Sequence, residues 1–473
     1  MGTRLTACRP PLTVRNVKGD TGSVWSRLLP GPQRFVPHRV VRAAQAFVRV
    51  EASSGIVLLA AALAALAWAN SPWDGAYVDL WRTRIVVDAS IFTIDADLRH
   101  WLNDGLMTLF FFLMGLEIKR ELAHGELSDP RRALLPAIAA LGGMAAPAAI
   151  YAAFNAGGVG ADGWGIPMAT DIAFALGVLS LLGRRVPFSV KVFLLVLAIA
   201  DDIGAILVIA LFYTSHIDLE ALGAAFAVFG AIVALNRGGV RSVDVYVVLG
   251  IALWAAMFES GVHATLTGVA LGLLTPARYF YSPAVFAETA TDLVGRFREA
   301  LVAGNEDEQQ GVLAQMEDLS QGTEAPMDRL ERALHPWVSF GVVPLFALAN
   351  AGVSVSGDAI GDALASPVTQ GVALALLLGK PLGIFAATWL AVRLRLCDLP
   401  NGATWGHVLG VGLLGGIGFT VSLLIAGLAF EDAGTLDESK LGVLGASVIA
   451  GVCGFVYLWL TTRPTAAPVN DES

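Results

Sequence analysis

The sequence predicts an all-α polytopic membrane protein of about twelve transmembrane helices. Two observations carry that prediction. First, hydrophobic residues make up 55% of the 473-residue chain and charged residues only 15%, against roughly 45–50% and about 25% in soluble chains. So few charges cannot cover that much apolar surface in water. Second, apolar runs of spanning length, about 20 residues, recur along the chain. They are continuous rather than alternating, as in IVLLAAALAALAWA at 56–69, which argues against a β-barrel. The same composition excludes a disordered protein. The net charge of −9 argues against a nucleic-acid partner. Cys8, Cys397 and Cys453 are too far apart to form a CxxC motif or a disulfide framework.

Taken in order, the apolar segments run near 53–70, 101–118, 133–154, 166–183, 190–213, 218–235, 243–258, 259–275, 336–351, 367–391, 405–430 and 441–461. The eighth and ninth are short. Lys and Arg in the connections set the orientation, because they accumulate on the cytoplasmic side. With the N-terminus inside, twelve of them, from Lys119 to Arg463, fall on the cytoplasmic side. Only Arg82, Arg84, Arg99 and Lys440 fall on the other. A multi-pass protein of the cytoplasmic membrane with both termini cytoplasmic is therefore expected.

The spans divide into a first membrane part, 51–275, with about eight helices, and a second, 336–462, with about four. Three segments lie outside them. Residues 1–50 hold eight Arg, one Lys and a single acid, Asp20. They lack the apolar core of a signal peptide and are expected to be a disordered extension, either transit-peptide-like or the product of a mis-assigned start. Residues 276–335 hold eleven acids and five Arg and are expected to be a long, flexible cytoplasmic loop. Residues 463–473 form a tail. Between the first two spans, IVVDASIFTID at 85–95 is rich in β-branched residues with partial alternation and predicts a short extracellular hairpin.

Five ionisable residues lie inside apolar segments: Asp104, Asp171, Asp201, Asp202 and Lys380. A charge at a helix centre costs at least about 2.5–3.5 kcal/mol on insertion scales, so each marks a functional position by default. The competing reading is a buried salt bridge that staples helices, which suits Asp104 near the end of its span as well as function does. It suits Asp201 and Asp202 less, because two acids against one Lys leave excess negative charge. A carboxylate without a partner can hold a proton, and the same oxygens suit a hard cation such as Na⁺. Competition of both for one site is the chemistry of an exchanger. Asp201 and Asp202 are consecutive and diverge by about 100° on a helix, so one can face an ion and the other a partner. Lys380, the only basic residue deep in a span, is the natural counter-ion.

Two spans carry helix breakers. GIPMATDIAFALG at 165–177 contains Pro167, Thr170 and Asp171. GLLGGIGFTVSLLIAGL at 412–428 contains Gly415, Gly416 and Gly418 near Thr420 and Ser422. Non-helical backbone at membrane depth occurs where it is buried in protein or lines a cavity; close helix packing explains such glycines equally well. The two spans sit in the middle of comparable triplets, 133–213 and 367–461. That pattern suggests inverted repeats with discontinuous helices, a rule drawn from transporters that include the family named next.

The stretches FFFLMGLEIKREL (110–122), PMATDIAFALG (167–177), LAIADDIGAILVIALFY (197–213), SGVHATLTG (260–268), HPWVSFGVVPLFALANAG (335–352), LGKPLGI (378–384) and GGIGFTVSLLIAGLAF (415–430) resemble the NhaA sodium/proton antiporters. They follow the family order over roughly 51–460. The resemblance implies twelve helices with two crossed, unwound helices at mid-membrane. It implies that Asp202 is the principal ion-binding acid, that Asp201 pairs with Lys380, and that Asp171 and Thr170 stand at the unwound crossing. Na⁺ would be held by Asp202, Asp201 and Thr170. It further implies electrogenic exchange of two protons for one Na⁺ or Li⁺, serving pH and sodium homeostasis, and a homodimer supported by the hairpin. Glu117, Lys119, Arg120 and Glu121 match a pH-responsive cluster, Glu331 and His335 its partner region, and His263 a histidine linked to the same response. Surface ion pairing explains the cluster equally well. No cofactor or enzymatic activity is implied, and no GxxxxGK[ST] nucleotide motif is present.

Three alternatives compete. A cation channel is disfavoured by the single buried Lys. An intramembrane aspartyl protease would need a GxGD context, whereas Asp201 follows AIA and Asp171 follows MAT. A sodium-coupled symporter would need a further substrate pocket.

Overall fold

A computed structural model describes residues 38–88, 93–214, 217–240, 243–355 and 357–462. The chain divides into a unit of residues 1–47 and a unit of residues 48–473. Most of the expected N-terminal extension and the whole C-terminal tail lie outside the described residues.

Helix α1 (His38–Ala69) is followed by α2 (Asp74–Trp81), then the antiparallel strands β1 (Arg84–Asp88) and β2 (Thr93–Asp97). Arg84 pairs with Asp97 across the ladder and Asp88 with Thr93, so the expected hairpin is present. Next come α3 (Leu98–His124), α4 (Pro130–Asn155), a 3₁₀ segment Ala161–Met168 joined to α5 (Ile172–Leu181), and α6 (Phe188–Phe212). Then follow α7 (Leu219–Arg237), α8 (Val243–Glu259) and α9 (Thr265–Leu274).

Beyond α9 the structure departs from the sequence expectation. The acidic stretch is folded: α10 (Pro283–Ala303) and α11 (Glu306–Thr323) form a helical hairpin. Leu293, Val312 and Leu319 are buried between them with Phe286, Phe297 and Met316 packed alongside. The neck is closed by the amides of Phe280 and Tyr281, which donate to the Gly322 carbonyl at 2.8 and 3.0 Å. A polar exterior disguised the hairpin as a loop, because its apolar residues form one narrow stripe per helix.

The chain continues through α12 (Pro326–Asn350), a short α13 (Gly357–Ala365), α14 (Pro367–Arg393), α15 (Trp405–Gly415), α16 (Phe419–Ala429) and α17 (Ala433–Thr461). Wide π-turns interrupt α12 at Val338–Val342 and α14 at Ala375–Gly379. Each precedes a proline by one residue, Pro344 and Pro381, whose missing N–H frees a carbonyl of the preceding turn.

Eight helices among the described residues are long and apolar enough to cross a membrane, or ten if each bent pair (Ser53–Ala69 with α2, α15 with α16) is one span. The expected twelve are not reached by length: α8 and α9 have 17 and 10 residues. The short α9 instead packs closely along α3. A Cβ at Gly272 would lie 2.7 Å from the Phe112 carbonyl oxygen, and one at Gly115 2.8 Å from that of Val269. Small residues permit such approach where helices meet in lipid.

Both triplets are found: α4, the broken Ala161–Leu181 segment and α6; then α14, the broken α15–α16 pair and α17. The two broken members meet in the buried core.

Candidate functional site

The break in the first triplet is the extended stretch Ala169–Asp171; in the second it is Gly416–Gly418. Backbone groups freed there must find partners, because no water is available at that depth. They find them across the crossing. The Asp171 amide donates to the Ile417 carbonyl at 2.6 Å. Ser422 Oγ donates to the Ile166 carbonyl at 2.6 Å. The Gly418 and Phe419 amides donate to Ser447 Oγ at 3.3 and 3.4 Å.

Asp171 is the N-cap of α5, where Oδ1 accepts from the Phe174 amide at 3.1 Å. Its Oδ2 accepts from the Thr420 amide at 3.2 Å and from Thr420 Oγ1 at 2.8 Å, in the first turn of α16. One carboxylate thus serves the N-terminal ends of two half-helices, where the helix dipole favours negative charge. Asp171 takes two N-terminal ends, and Lys380 reaches a C-terminal one through Thr170.

Thr170 Oγ1 sits 2.8 Å from Asp201 Oδ2 and 3.0 Å from the carbonyl of Gly415, the last residue of α15. It accepts from Lys380 Nζ at 3.0 Å. Lys380 also forms a direct ion pair with Asp201 Oδ2. Lys380 and Asp201 are fully buried, and Asp202 is 2% exposed. The two aspartates divide as the helix geometry requires. Asp201 turns to Lys380, while Asp202 Oδ1 has no hydrogen-bond partner among the described residues. Asp201 Oδ1 is also unpartnered. Asp202 lies within electrostatic reach of Asp201, Glu117, Asp171 and Lys380.

This arrangement is two carboxylates, one ammonium and one hydroxyl, beside carbonyl oxygens freed by the unwound backbone. No group of three or more His, Cys, Asp or Glu side chains is placed to hold a metal among the described residues. The oxygen set suits a hard cation such as Na⁺, or protons.

The remaining site candidates separate. Glu117, Lys119, Arg120 and Glu121 occupy the last turns of α3. Arg120 forms an ion pair with Glu331 of α12, and His335 is buried one turn further on. Buried Glu121 accepts the Glu126 amide at 3.1 Å. His263 stands elsewhere, with Nε2 2.7 Å from the carbonyl of Tyr213 at the end of α6. In the parallel packing of α9 on α3, Gly268 meets Thr108 and Gly272 meets Phe112 and Gly115, so His263 falls at the opposite end of α3 from Arg120. Asp104 is not a deeply buried acid. Its side chain is 17% exposed and pairs with His100 at 2.8 Å, within a π-turn at Trp101–Leu106. The pair joins two residues of one helix and is partly exposed, so it is not the buried inter-helix staple that the sequence offered.

Sequence reasoning missed Ser447, which supports the second break, and His100, the partner of Asp104 four residues earlier. It also treated Lys440 as a loop charge, whereas Lys440 lies within α17 and is 3% exposed.

Comparison with known proteins agrees with this architecture. The family model described as Na+/H+ antiporter 1 matches residues 45–458. The chain is 47% identical over 437 residues to the "Na(+)/H(+) antiporter NhaA 2" of Sorangium cellulosum, covering 92% of this chain and 93% of that protein. It is 48% identical over 432 residues to the "Na(+)/H(+) antiporter NhaA" of Koribacter versatilis, covering 90% and 94%. It is 48% identical over 453 residues to that of Anaeromyxobacter sp., covering 93% and 98%. A predominantly helical, multi-span membrane chain with two broken spans crossing in its core, matched along nearly its whole length, belongs to the NhaA family of Na⁺/H⁺ antiporters.

Proposed function

We propose that the protein exchanges two protons for one Na⁺, or Li⁺, across the cytoplasmic membrane, expelling Na⁺ and serving pH and sodium homeostasis. Both termini are cytoplasmic, as the Lys and Arg distribution favours. The observation that carries this reading is the unequal aspartate pair. Asp201 is tied to Lys380 and Thr170, and Asp202 stands beside it in the same dry site with an oxygen to spare.

Asp202 is the principal ion acid. Asp201 and Thr170 complete the Na⁺ ligands, with Asp171 holding the crossing in register. Lys380 compensates charge when the site is empty. Counted with Lys380 charged, the two carboxylates give a net −1. One Na⁺ brings the site to 0 and two protons bring it to +1. Each cycle therefore moves one net charge, and the membrane potential contributes about 2.3 kcal/mol per 100 mV. Because protons and Na⁺ compete for the same oxygens, the site is loaded with one or the other, never both. Alternating access then proceeds by rocking of one bundle against the other around the crossing. The Arg120–Glu331 pair, with Glu117, Lys119, Glu121 and His335, forms the pH-responsive group at one end, and His263 acts separately. A homodimer through the β-hairpin accords with the exposed Ile85, Val86 and Val87 on β1.

The test uses inside-out vesicles from cells lacking other antiporters. A pH-sensitive dye reports ΔpH as NaCl or LiCl is added across a pH series. Collapse of ΔpH by the parent and its loss in Asp202→Asn supports exchange at the pair. A folded, inserted parent that does not respond refutes it.

A further inference from the structure

A cavity of about 480 Å³ lies apart from the ion site, and the exchange reading makes no use of it. The end of α4, the loop after it, the end of α13 and the starts of α14 and α17 enclose it. The Lys and Arg distribution puts this end of the bundle on the outer side. Two acids line the cavity, Asp362 of α13 and Glu438 of α17, together with Asn155, Ser366 and Thr435. None of the residues lining it is basic, so its wall carries a formal charge set by two carboxylates alone.

One oxygen of that wall is held in place without a partner. Asn155 is 4% exposed. Its Nδ2 donates to the carbonyls of Tyr151 at 3.2 Å and of Pro367 at 3.1 Å. Only the nitrogen end of an amide can serve two carbonyls, which fixes the orientation of the side chain. Its Oδ1 is thereby turned toward Gly160, where a Cβ would lie 2.7 Å from it, and Gly160 also lines the cavity. Oδ1 accepts no hydrogen bond among the described residues. An acceptor without a partner in so deeply buried a side chain is costly unless an occupant of the cavity satisfies it. Glu438 is engaged at one oxygen only: its Oε2 accepts from Ser366 Oγ at 2.5 Å.

An anion is the first alternative, because the N-terminal ends of α14 and α17 border the cavity and carry partial positive charge. Both ends are already capped. Ser366 Oγ accepts from the Val368 amide at 3.2 Å, and Asp432 Oδ2 accepts from the Thr435 amide at 2.8 Å. What the cavity offers is oxygen: two carboxylates, one amide carbonyl and the hydroxyls of Ser366 and Thr435. Such a set suits a hard cation. Two carboxylates match a divalent charge, whereas a monovalent ion leaves one of them uncompensated. With only two acids the ion keeps much of its water, as Mg²⁺ does when one or two carboxylates hold it. The cavity has room for that shell, since a water takes up about 30 Å³.

We propose that this cavity binds one hydrated divalent cation, Mg²⁺ or Ca²⁺, with Asp362 and Glu438 as its anionic ligands and Asn155 Oδ1 as a neutral one. The bound ion ties the end of α4, in the first triplet, to the starts of α14 and α17, around the second. It is not the transported ion, and the inference stands whether or not the exchange reading does.

The test uses the full chain, purified in detergent and stripped of divalent ions by a chelator that is then removed. MgCl₂ or CaCl₂ is titrated in at an ionic strength held constant with choline chloride. Binding is read by calorimetry and by the midpoint of thermal unfolding. One saturable site is expected, with a dissociation constant of about 0.1–1 mM, as in extracellular calcium modules. The midpoint rises with the concentration of the ion, because the folded state alone holds it. Glu438→Gln keeps an oxygen for the Ser366 hydroxyl and removes one charge. Asp362→Asn changes an exposed residue, so it carries the test if Glu438→Gln does not fold. Each weakens binding about tenfold or more, since affinity follows the charge count of the ligands. A Ser366–Glu438 contact that merely holds the helices together predicts no effect of Asp362→Asn on binding. Three results overturn the site: no saturable binding by the parent, equal binding by the parent and Asp362→Asn, or binding that disappears in Asp202→Asn and so belongs to the ion site. Displacement of the divalent ion by NaCl at equal concentration overturns the divalent assignment.

Discussion

Adjacent residues given the same substitution are expected to change stability in opposite directions. Asp201→Asn removes the anion from a fully buried ion pair and leaves Lys380 Nζ with neutral hydrogen-bond partners only, the Thr170 hydroxyl among them. Breaking a buried pair from one side costs about 3–5 kcal/mol, because the remaining charge is desolvated and unpaired. Asp202→Asn instead removes a buried carboxylate that has one oxygen without a partner and three other acids within electrostatic reach. An amide of the same shape relieves that repulsion, so its effect is near zero or stabilising, by up to about 1–2 kcal/mol. The assay is thermal unfolding of the purified protein in detergent, at fixed pH and without Na⁺ or Li⁺. Unfolding is followed by tryptophan fluorescence at one scan rate, since large membrane proteins often unfold irreversibly. Asp201→Asn should lower the midpoint by several degrees, and Asp202→Asn should leave it in place or raise it. The double variant Asp201→Asn with Lys380→Met should recover much of the loss, because it removes both charges. Equal destabilisation by both single variants would refute the division of labour between the aspartates. So would a double variant that is worse than Asp201→Asn alone.

Three further outcomes follow from the packing. Gly416→Ala places a Cβ 2.5 Å from the Leu376 carbonyl oxygen and 3.2 Å from the Ala450 Cβ. It should cost about 1–3 kcal/mol by overpacking and lower exchange by disturbing the break, as unfolding and vesicle assays would report. Val312→Asp, at the centre of the hairpin core, should cost more than about 3 kcal/mol locally and unwind the helix around Arg296 and Arg298 enough for trypsin to cleave there. Exchange should persist, because the hairpin core is separate from the crossing. His263→Gln and Glu331→Gln should shift the pH profile of exchange additively in a double-mutant cycle, since the two sites share no contact. A coupling above about 0.5 kcal/mol would show that they act as one sensor.

Much of this protein was legible in its sequence. The length and continuity of the apolar runs fixed the fold class, because a chain in lipid must satisfy its own backbone and only helices do so within one segment. The cost of charge in an apolar run singled out Asp171, Asp201, Asp202 and Lys380, and clustered glycines beside hydroxyls marked both breaks. Other features depended on what meets what across the core. Helix geometry could say that Asp201 and Asp202 diverge, and only the family resemblance put Asp201 against Lys380; the contact itself is made by the placement of α14, resumed after its π-turn. Asp171 proved to cap two half-helices, because only the crossing brings Thr420 within reach of a residue 249 positions away. Residues 276–335 passed for a loop because a two-helix hairpin hides few apolar residues, and their burial is visible only once the helices pair. Lys440 looked like a loop charge because hydropathy averages over a window, while burial is set by neighbours. The turn of α17 that carries it lies inside the protein, and nothing within that turn records what packs against it.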